Sequence, residues 1–128
     1  MTRHLISTGS PFERAYGYSR AVAQDRFVFV SGTTGYDYAT MTMPRDVAEQ
    51  ARNCWRTIEA VLTDAGASLS DVVRATYYVV DRADAEPVLE VSGKMLAQIR
   101  PAAAILVVAG LLKPEMKVEI EVTAMRKA

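Results

Sequence analysis

Two carboxylates near the C-terminus and one glycine-bearing loop are the residues whose types and spacing invite chemistry in this chain. Lys117 to Thr123 alternate strictly, so that Val118, Ile120 and Val122 share one face of a strand while Lys117, Glu119, Glu121 and Thr123 share the other. Carboxylates at i and i+2 stand about 6.5 to 7 Å apart along a strand. Glu119 and Glu121 are therefore either a solvated sheet surface or a pair able to move a proton. The loop is Ser31-Gly32-Thr33-Thr34-Gly35. It resembles a phosphate cradle, yet it lacks the lysine of a P-loop and no helix opens directly after it. Its glycines also suit a sharp reversal whose exposed N–H groups meet a small polar ligand. Tyr16, Tyr18, Tyr36 and Tyr38 flank the first predicted hairpin, as packing or as recognition.

Other chemistries find few residues. His4 is the sole histidine and is placed on the surface of the first strand, so a Ser-His-acid triad is not expected. Cys54, the sole cysteine, falls on the apolar stripe of a helix as a buried structural thiol, and no internal disulfide can form. No ligand pair has zinc spacing, so a metal is not expected. Fifteen basic and fifteen acidic residues cancel, leaving no electrostatic footprint for nucleic acid or an anionic membrane. Pro101 to Leu112 is too short to span a bilayer, and the N-terminus lacks the apolar core of a signal peptide. The expectation is one cytoplasmic domain over residues 1–128, of ordinary globular composition with 50% hydrophobic residues.

The elements that must position these residues are legible in part. Leu5–Ser7 suits a short edge strand, followed by a loop through Gly9, Ser10 and Pro11. Ser19–Ala23 and Phe27–Val30 suit a hairpin, with Ser31 to Gly35 ending its second strand and Tyr36 to Pro44 forming a loop that could line a site. From Arg45 to Ala65, Val47, Ala51, Cys54, Trp55, Ile58, Leu62 and Ala65 recur at helical spacing, with Asp46 at the start and Gly66 as the stop. Val72–Val80 favours a strand, and Ala85–Ile99 a second helix with Pro87 in its first turn. Ala102 to Val108 reads as a strand buried on both faces, and the alternating strand follows. The predicted order is β-β-β-α-β-α-β-β, a two-layer α+β domain with two helices on one face of a mixed six-stranded sheet. Its other face needs cover, which a second copy of the chain would supply.

Tyr18-Ser19-Arg20-Ala21-Val22, Phe27 to Gly32 (FVFVSG), Ala65 to Val73 (AGASLSDVV) and Val118-Glu119-Ile120-Glu121 resemble, in order and over almost the whole chain, the RidA/YjgF family of reactive-intermediate deaminases, also labelled endoribonuclease L-PSP. The resemblance implies a chorismate-mutase-like fold, a homotrimer and a cleft at each subunit interface. It also implies cofactor-free hydrolysis of a small enamine or imine metabolite to a carbonyl product and ammonia. By motif position Glu119 matches the family's acidic residue, Tyr18 its tyrosine, and Ser31-Gly32 the loop beside the ligand.

The departures bear on substrate. Pro101-Ala102-Ala103 stands where the deaminases carry Pro-Ala-Arg, so Ala103 replaces the arginine that grips a substrate carboxylate. Leu89 replaces the asparagine of the second helix, Tyr16-Gly17 replaces Gly-Pro before Tyr18, Thr33 replaces glutamine, and the Gly110 to Met116 loop is one residue longer. The expected function is hydrolytic deamination with a substrate other than simple 2-imino acids, and Arg14, Arg20 or Arg100 are candidates for a replacement anchor. A non-catalytic small-molecule-binding or interaction protein of the same fold is the competing reading. Neutral charge and the lack of a histidine pair argue against RNA cleavage.

Overall fold

The computed structural model describes residues 2–127. Six strands, β1 (His4–Ile6), β2 (Ala21–Gln24), β3 (Phe27–Thr34), β4 (Val72–Val79), β5 (Ala102–Val107) and β6 (Val118–Met125), alternate with three helices, α1 (Pro11–Tyr16), α2 (Val47–Asp64) and α3 (Ala85–Leu96). One mixed sheet has the order β1-β2-β3-β6-β4-β5. Only β4 and β5 are parallel; the other neighbours are antiparallel. The last strand in sequence is thus an interior strand, with β3 on one side and β4 on the other. This is the expected α+β, chorismate-mutase-like architecture, with one more helix than the sequence predicted.

The extra helix is α1, where a loop was expected through Ser10 and Pro11. Ser10 accepts a hydrogen bond from the Phe12 N–H, Pro11 occupies the first turn, and a left-handed Gly17 (φ 73°) closes the end. A further departure concerns β3, which does not end at Val30 but runs on to Thr34.

Helix α2 is capped by Asp46, whose carboxylate accepts from the Glu49 N–H at 3.0 Å. Its stripe of Ala51, Cys54, Trp55, Ile58 and Leu62 is fully buried against the sheet. Each large aliphatic side chain there contributes about 1.5–3 kcal/mol of burial. The opposing sheet face is built from Val28, Val30, Ala75, Tyr77, Val79, Val118, Ile120 and Val122. Trp55 sits edge-on to Tyr77 and donates its indole N–H to the Ser92 hydroxyl of α3 at 2.9 Å, so the largest core side chain leaves no orphaned donor.

Gln50 is the polar member of the same buried stripe. Its amide donates to the carbonyls of Pro44 (2.8 Å) and Glu115 (3.0 Å) and accepts from the Lys117 N–H (3.0 Å). It ties α2 to the loop before it and to the segment entering β6. Gly35 lies against this residue, and a Cβ placed there would stand 2.6 Å from the Gln50 Cα.

The other sheet face is open, and its aromatic pair Phe27 and Phe29 is exposed. Strand β5 is also exposed, contrary to the expectation that Ala102 to Val108 is buried on both faces. It is an edge strand, paired only with β4, so one chain cannot enclose it.

Candidate functional site

Strand β3 pairs with β6 through Val30 and Val122, then resumes at Thr33 and Ile120. Ser31 and Gly32 therefore oppose Glu121 alone, a β-bulge that turns this part of the strand towards Glu119. Gly32 is required by close approach: a Cβ there would lie 2.3 Å from the Glu119 Oε2 and 2.6 Å from its Cδ. The carboxylate of Glu119 rests on the bare α-carbon of the bulge.

Local hydrogen bonds hold the bulge. The Ser31 N–H donates to the Arg20 carbonyl (2.9 Å) and the Ser31 hydroxyl to the Ser19 carbonyl (2.6 Å). The Thr33 hydroxyl donates to the Ser31 carbonyl (2.8 Å). Arg20, only 1% exposed, donates from Nη1 to the Gly32 carbonyl (2.7 Å) and to the Thr33 hydroxyl (3.2 Å). Its Nη2 donates to the Tyr18 hydroxyl (3.3 Å), and its guanidinium lies 4.9 Å from the Tyr38 ring centroid and 5.5 Å from that of Tyr18. Behind it stands Glu13 of α1, whose Oε2 is 3.7 Å from the Arg20 Nε and accepts from the Thr8 hydroxyl at 2.6 Å. Burial pushes the Glu13 carboxyl up, but hydrogen bonds from Thr8 and Ser7 and the charge of Arg20 outweigh it and hold it below its ordinary value.

The pair on β6 divides by environment. Burial raises the Glu119 carboxyl above its ordinary value, Glu121 adds to the rise, and Arg20 opposes it. Glu121 instead accepts a hydrogen bond from the Tyr78 hydroxyl at 2.5 Å. That bond, with burial second, pushes Tyr78 up to about 12. Burial thus raises the proton affinity of Glu119, while its neighbour is held by a phenol. Beside Glu121 a small hollow of about 190 Å³ opens between Phe29, Arg74, Thr76 and Thr123.

Of the residues singled out in the sequence, Tyr18, Ser31, Gly32 and Glu119 come together. Ala103 and Leu89 do not join them within one chain. Ala103 is in register with Ala75, on the sheet face that packs on the helices, whereas Glu119 is in register with Tyr78 on the opposite face. Leu89 is exposed on α3. Arg14 and Arg100 are exposed, and Arg20 is consumed inside the fold. The four tyrosines do cluster: Tyr36 and Tyr38 are 5.9 Å apart, and Phe12 contacts both Tyr36 (5.9 Å) and Tyr16 (6.4 Å). Cys54 is buried and donates to the Thr33 carbonyl at 3.2 Å, and burial pushes its thiol far up, which suits a structural and not a nucleophilic role.

The contact that sequence reasoning missed is the Arg20–Glu13 pair. A signal existed in the basic residue between two apolar strand residues and Tyr18, but nothing local announces that its partner sits seven positions earlier. A larger cavity, about 820 Å³, lies between α2 and the 36–44 loop, lined by Tyr36, Tyr38, Met43, Asn53, Arg56 and Asp64 among others. Asp37, Glu49 and Asp64, which line it, are all exposed. Among the described residues no group of three or more His, Cys, Asp or Glu could hold a metal ion, and no helix is long and apolar enough to cross a membrane.

A consequence of the close approach can be checked directly. In Gly32→Ala the new methyl meets the free end of a side chain and not backbone, so Glu119 should swing away while β3 stays in place. A crystal structure should show the displaced carboxylate, with the melting temperature within ~3 °C of the parent. An unmoved Glu119 on a shifted β3 would contradict this account.

A mixed six-stranded sheet, helices on one face and a bulge that seats a carboxylate on the other define a chorismate-mutase-like α+β protein. The chain belongs to the RidA/YjgF family: the family model described as Endoribonuclease L-PSP matches residues 8–126. It is similar to the 2-iminobutanoate/2-iminopropanoate deaminase of Bos taurus, 35% identical over 127 residues that cover 98% of this chain and 92% of the bovine one. Among solved structures, a YjgF-family member from Mycobacterium tuberculosis superposes with a TM-score of 0.89 at 42% identity, covering 97% of this chain and 99% of that one. The YjgF gene product of E. coli does so with a TM-score of 0.85 at 30% identity, covering 97% and 99%.

Proposed function

We propose that this protein hydrolyses a small enamine or imine to a carbonyl compound and ammonia, in a cleft between the subunits of a homotrimer, without a cofactor. The observation that carries the reading is Glu119, a partly buried carboxyl of raised proton affinity seated on Gly32 in a chain related to imine deaminases. Water adds to the C=N carbon as Glu119 takes its proton, giving a carbinolamine. Starting from the protonated imine this carbinolamine is neutral; the same proton then goes to its nitrogen, the C–N bond breaks as the C=O bond forms, and the hydroxyl proton passes to Glu119 as ammonia leaves. Proton affinity raised towards the working pH makes one group effective in both directions.

Assembly supports the same reading. The uncharged edge strand β5 and the exposed Phe27–Phe29 face both call for cover. Ala103 and Leu89 lie away from Glu119 in one chain, so only a neighbouring copy can bring such positions to its site. Light scattering on a sizing column should report three chains per particle. A stable monomer at micromolar concentration would remove the inter-subunit cleft.

Because Ala103 carries no charge, a carboxylate grip at this position is lost. Simple 2-imino acids should turn over one to two decades more slowly in kcat/KM than with an arginine-bearing relative, from roughly 1.5–3 kcal/mol of missing charge-assisted hydrogen bonding. The test is ammonia release from enzymatically generated imines, carboxylated and uncharged, with the bovine deaminase alongside. Saturable binding of such compounds with no turnover of any would support the non-catalytic alternative, which the uncharged Ala103 and Leu89 favour.

A further inference from the structure

We infer that Arg20 is a positioning residue for Glu119: clamped by Glu13 and flanked by Tyr18 and Tyr38, its guanidinium fixes the Ser31–Thr33 bulge and so sets where the Glu119 carboxylate rests and how it is charged. This rests on reading Glu119 as the proton-transfer group.

Three observations carry the inference. One nitrogen, Nη1, reaches both the Gly32 carbonyl and the Thr33 hydroxyl, at 2.7 and 3.2 Å, and Thr33 passes the hold on to the Ser31 carbonyl. Gly32 is the residue on which the Glu119 carboxylate lies, so the cation and the carboxylate meet the same residue of the bulge. Arg20 is also a buried cation whose Nε makes no hydrogen bond and faces the single carboxylate of Glu13. A charge kept out of water at that cost, where a neutral side chain could serve packing alone, implies a use for the charge itself. Around Glu119 the titratable groups are Glu121 on its own strand, Tyr78 on β4, Cys54 on α2, and Arg20 with Tyr18 and Tyr38 beside β3. Arg20 is the only cation among them, and it opposes the rise that burial and Glu121 impose.

The experiment is the carboxyl titration of Glu119, followed by NMR on selectively labelled protein without any substrate. Arg20→Gln should move that titration upward by roughly half a unit or more. Arg20→Lys, which keeps the charge and loses the fork, should return it to near the parent value while the amide signals of Gly32 and Thr33 still shift. If Arg20→Gln fails to fold because Glu13 is left buried and unpaired, the double variant Glu13→Gln/Arg20→Gln removes both charges and should show the same upward shift. Folded variants in which Glu119 titrates as in the parent would reduce Arg20 to a structural residue and overturn the inference. Failure of the parent to release ammonia would sink the deaminase reading alone, because the titration needs no turnover.

Discussion

Glu119→Gln is expected to lower turnover about 100-fold while making the protein more resistant to heat at neutral pH. The first effect follows because the amide keeps the shape of the carboxylate and cannot take a proton from water, and a positioned general base contributes at least about two decades. The second follows from the raised proton affinity of Glu119, which burial and Glu121 impose. A group whose folded pKa lies above its unfolded value favours folding while protonated, an advantage fully present below the unfolded value and lost as the pH rises through the folded one. Above the folded value the charged carboxylate is therefore a burden that glutamine removes, and the melting temperature should rise by a few degrees. At a pH below the ordinary carboxylate range the parent is protonated in both states, and the gap should close. Glu121→Gln should affect turnover less, since Glu121 is engaged with Tyr78. Equal small losses at both positions, or a heat-stability gap that ignores pH, would contradict the assignment of Glu119.

Gly35→Ala should cost about 3 kcal/mol and lower the melting temperature by about 10 °C, the largest stability effect expected from a single methyl group in this chain. The methyl meets the Gln50 Cα and Cβ at 2.6 Å, atoms whose positions the helix backbone fixes and which cannot rotate aside. Either α2 lifts from β3, opening the packing around Trp55 and Ile58, or Gln50 moves and leaves the Pro44 and Glu115 carbonyls and the Lys117 N–H without partners. Gly93→Ala in the interior of α3 is the control. Its added Cβ has nothing within 4 Å, so it should stabilise by roughly 0.5–1 kcal/mol through helix propensity alone. Thermal unfolding of the two variants side by side checks the contrast, and a Gly35→Ala protein melting within ~2 °C of the parent would refute the close contact.

The long elements were legible because their periodicity is enforced by burial. The stripe from Val47 to Leu62 and the alternation of Val118, Ile120 and Val122 both appear in the fold as read. The short helix α1 was not, although Ser10, Pro11 and Gly17 carry its cap, first turn and stop; six residues give too little periodicity to outweigh the turn signals beside them. The strand from Ala102 was misjudged for a different reason. An apolar run says that a segment avoids water and not whether its own chain does the covering, and here β5 lies at the sheet edge. At the site, Tyr18, Ser31, Gly32 and Glu119 were identifiable by motif, and the structure brings them together. What they lean on was not: Arg20 reads as a candidate substrate anchor, and only the tertiary approach of Glu13 and the bulge at Gly32 reveals a buried cation.

The placement of β6 at the interior of the sheet has a consequence for the birth of the molecule. Strands β3 and β4 do not pair with each other; each pairs with β6 instead. While residues 118–125 are still missing from a growing polypeptide, the β1-β2-β3 meander and the β4-β5 unit exist as two sheet fragments with no strand pairing between them. Neither can complete its side of the common core until the final segment slots in and zips both edges at once. Completion is therefore a late, all-or-none event that joins β3 to a strand roughly 90 residues away and β4 to the same strand roughly 45 residues away, slow by its loop-closure entropy and open to mispairing meanwhile. Glu119 rides on that same strand, so the group read as catalytic is set in place by the very step that finishes the sheet.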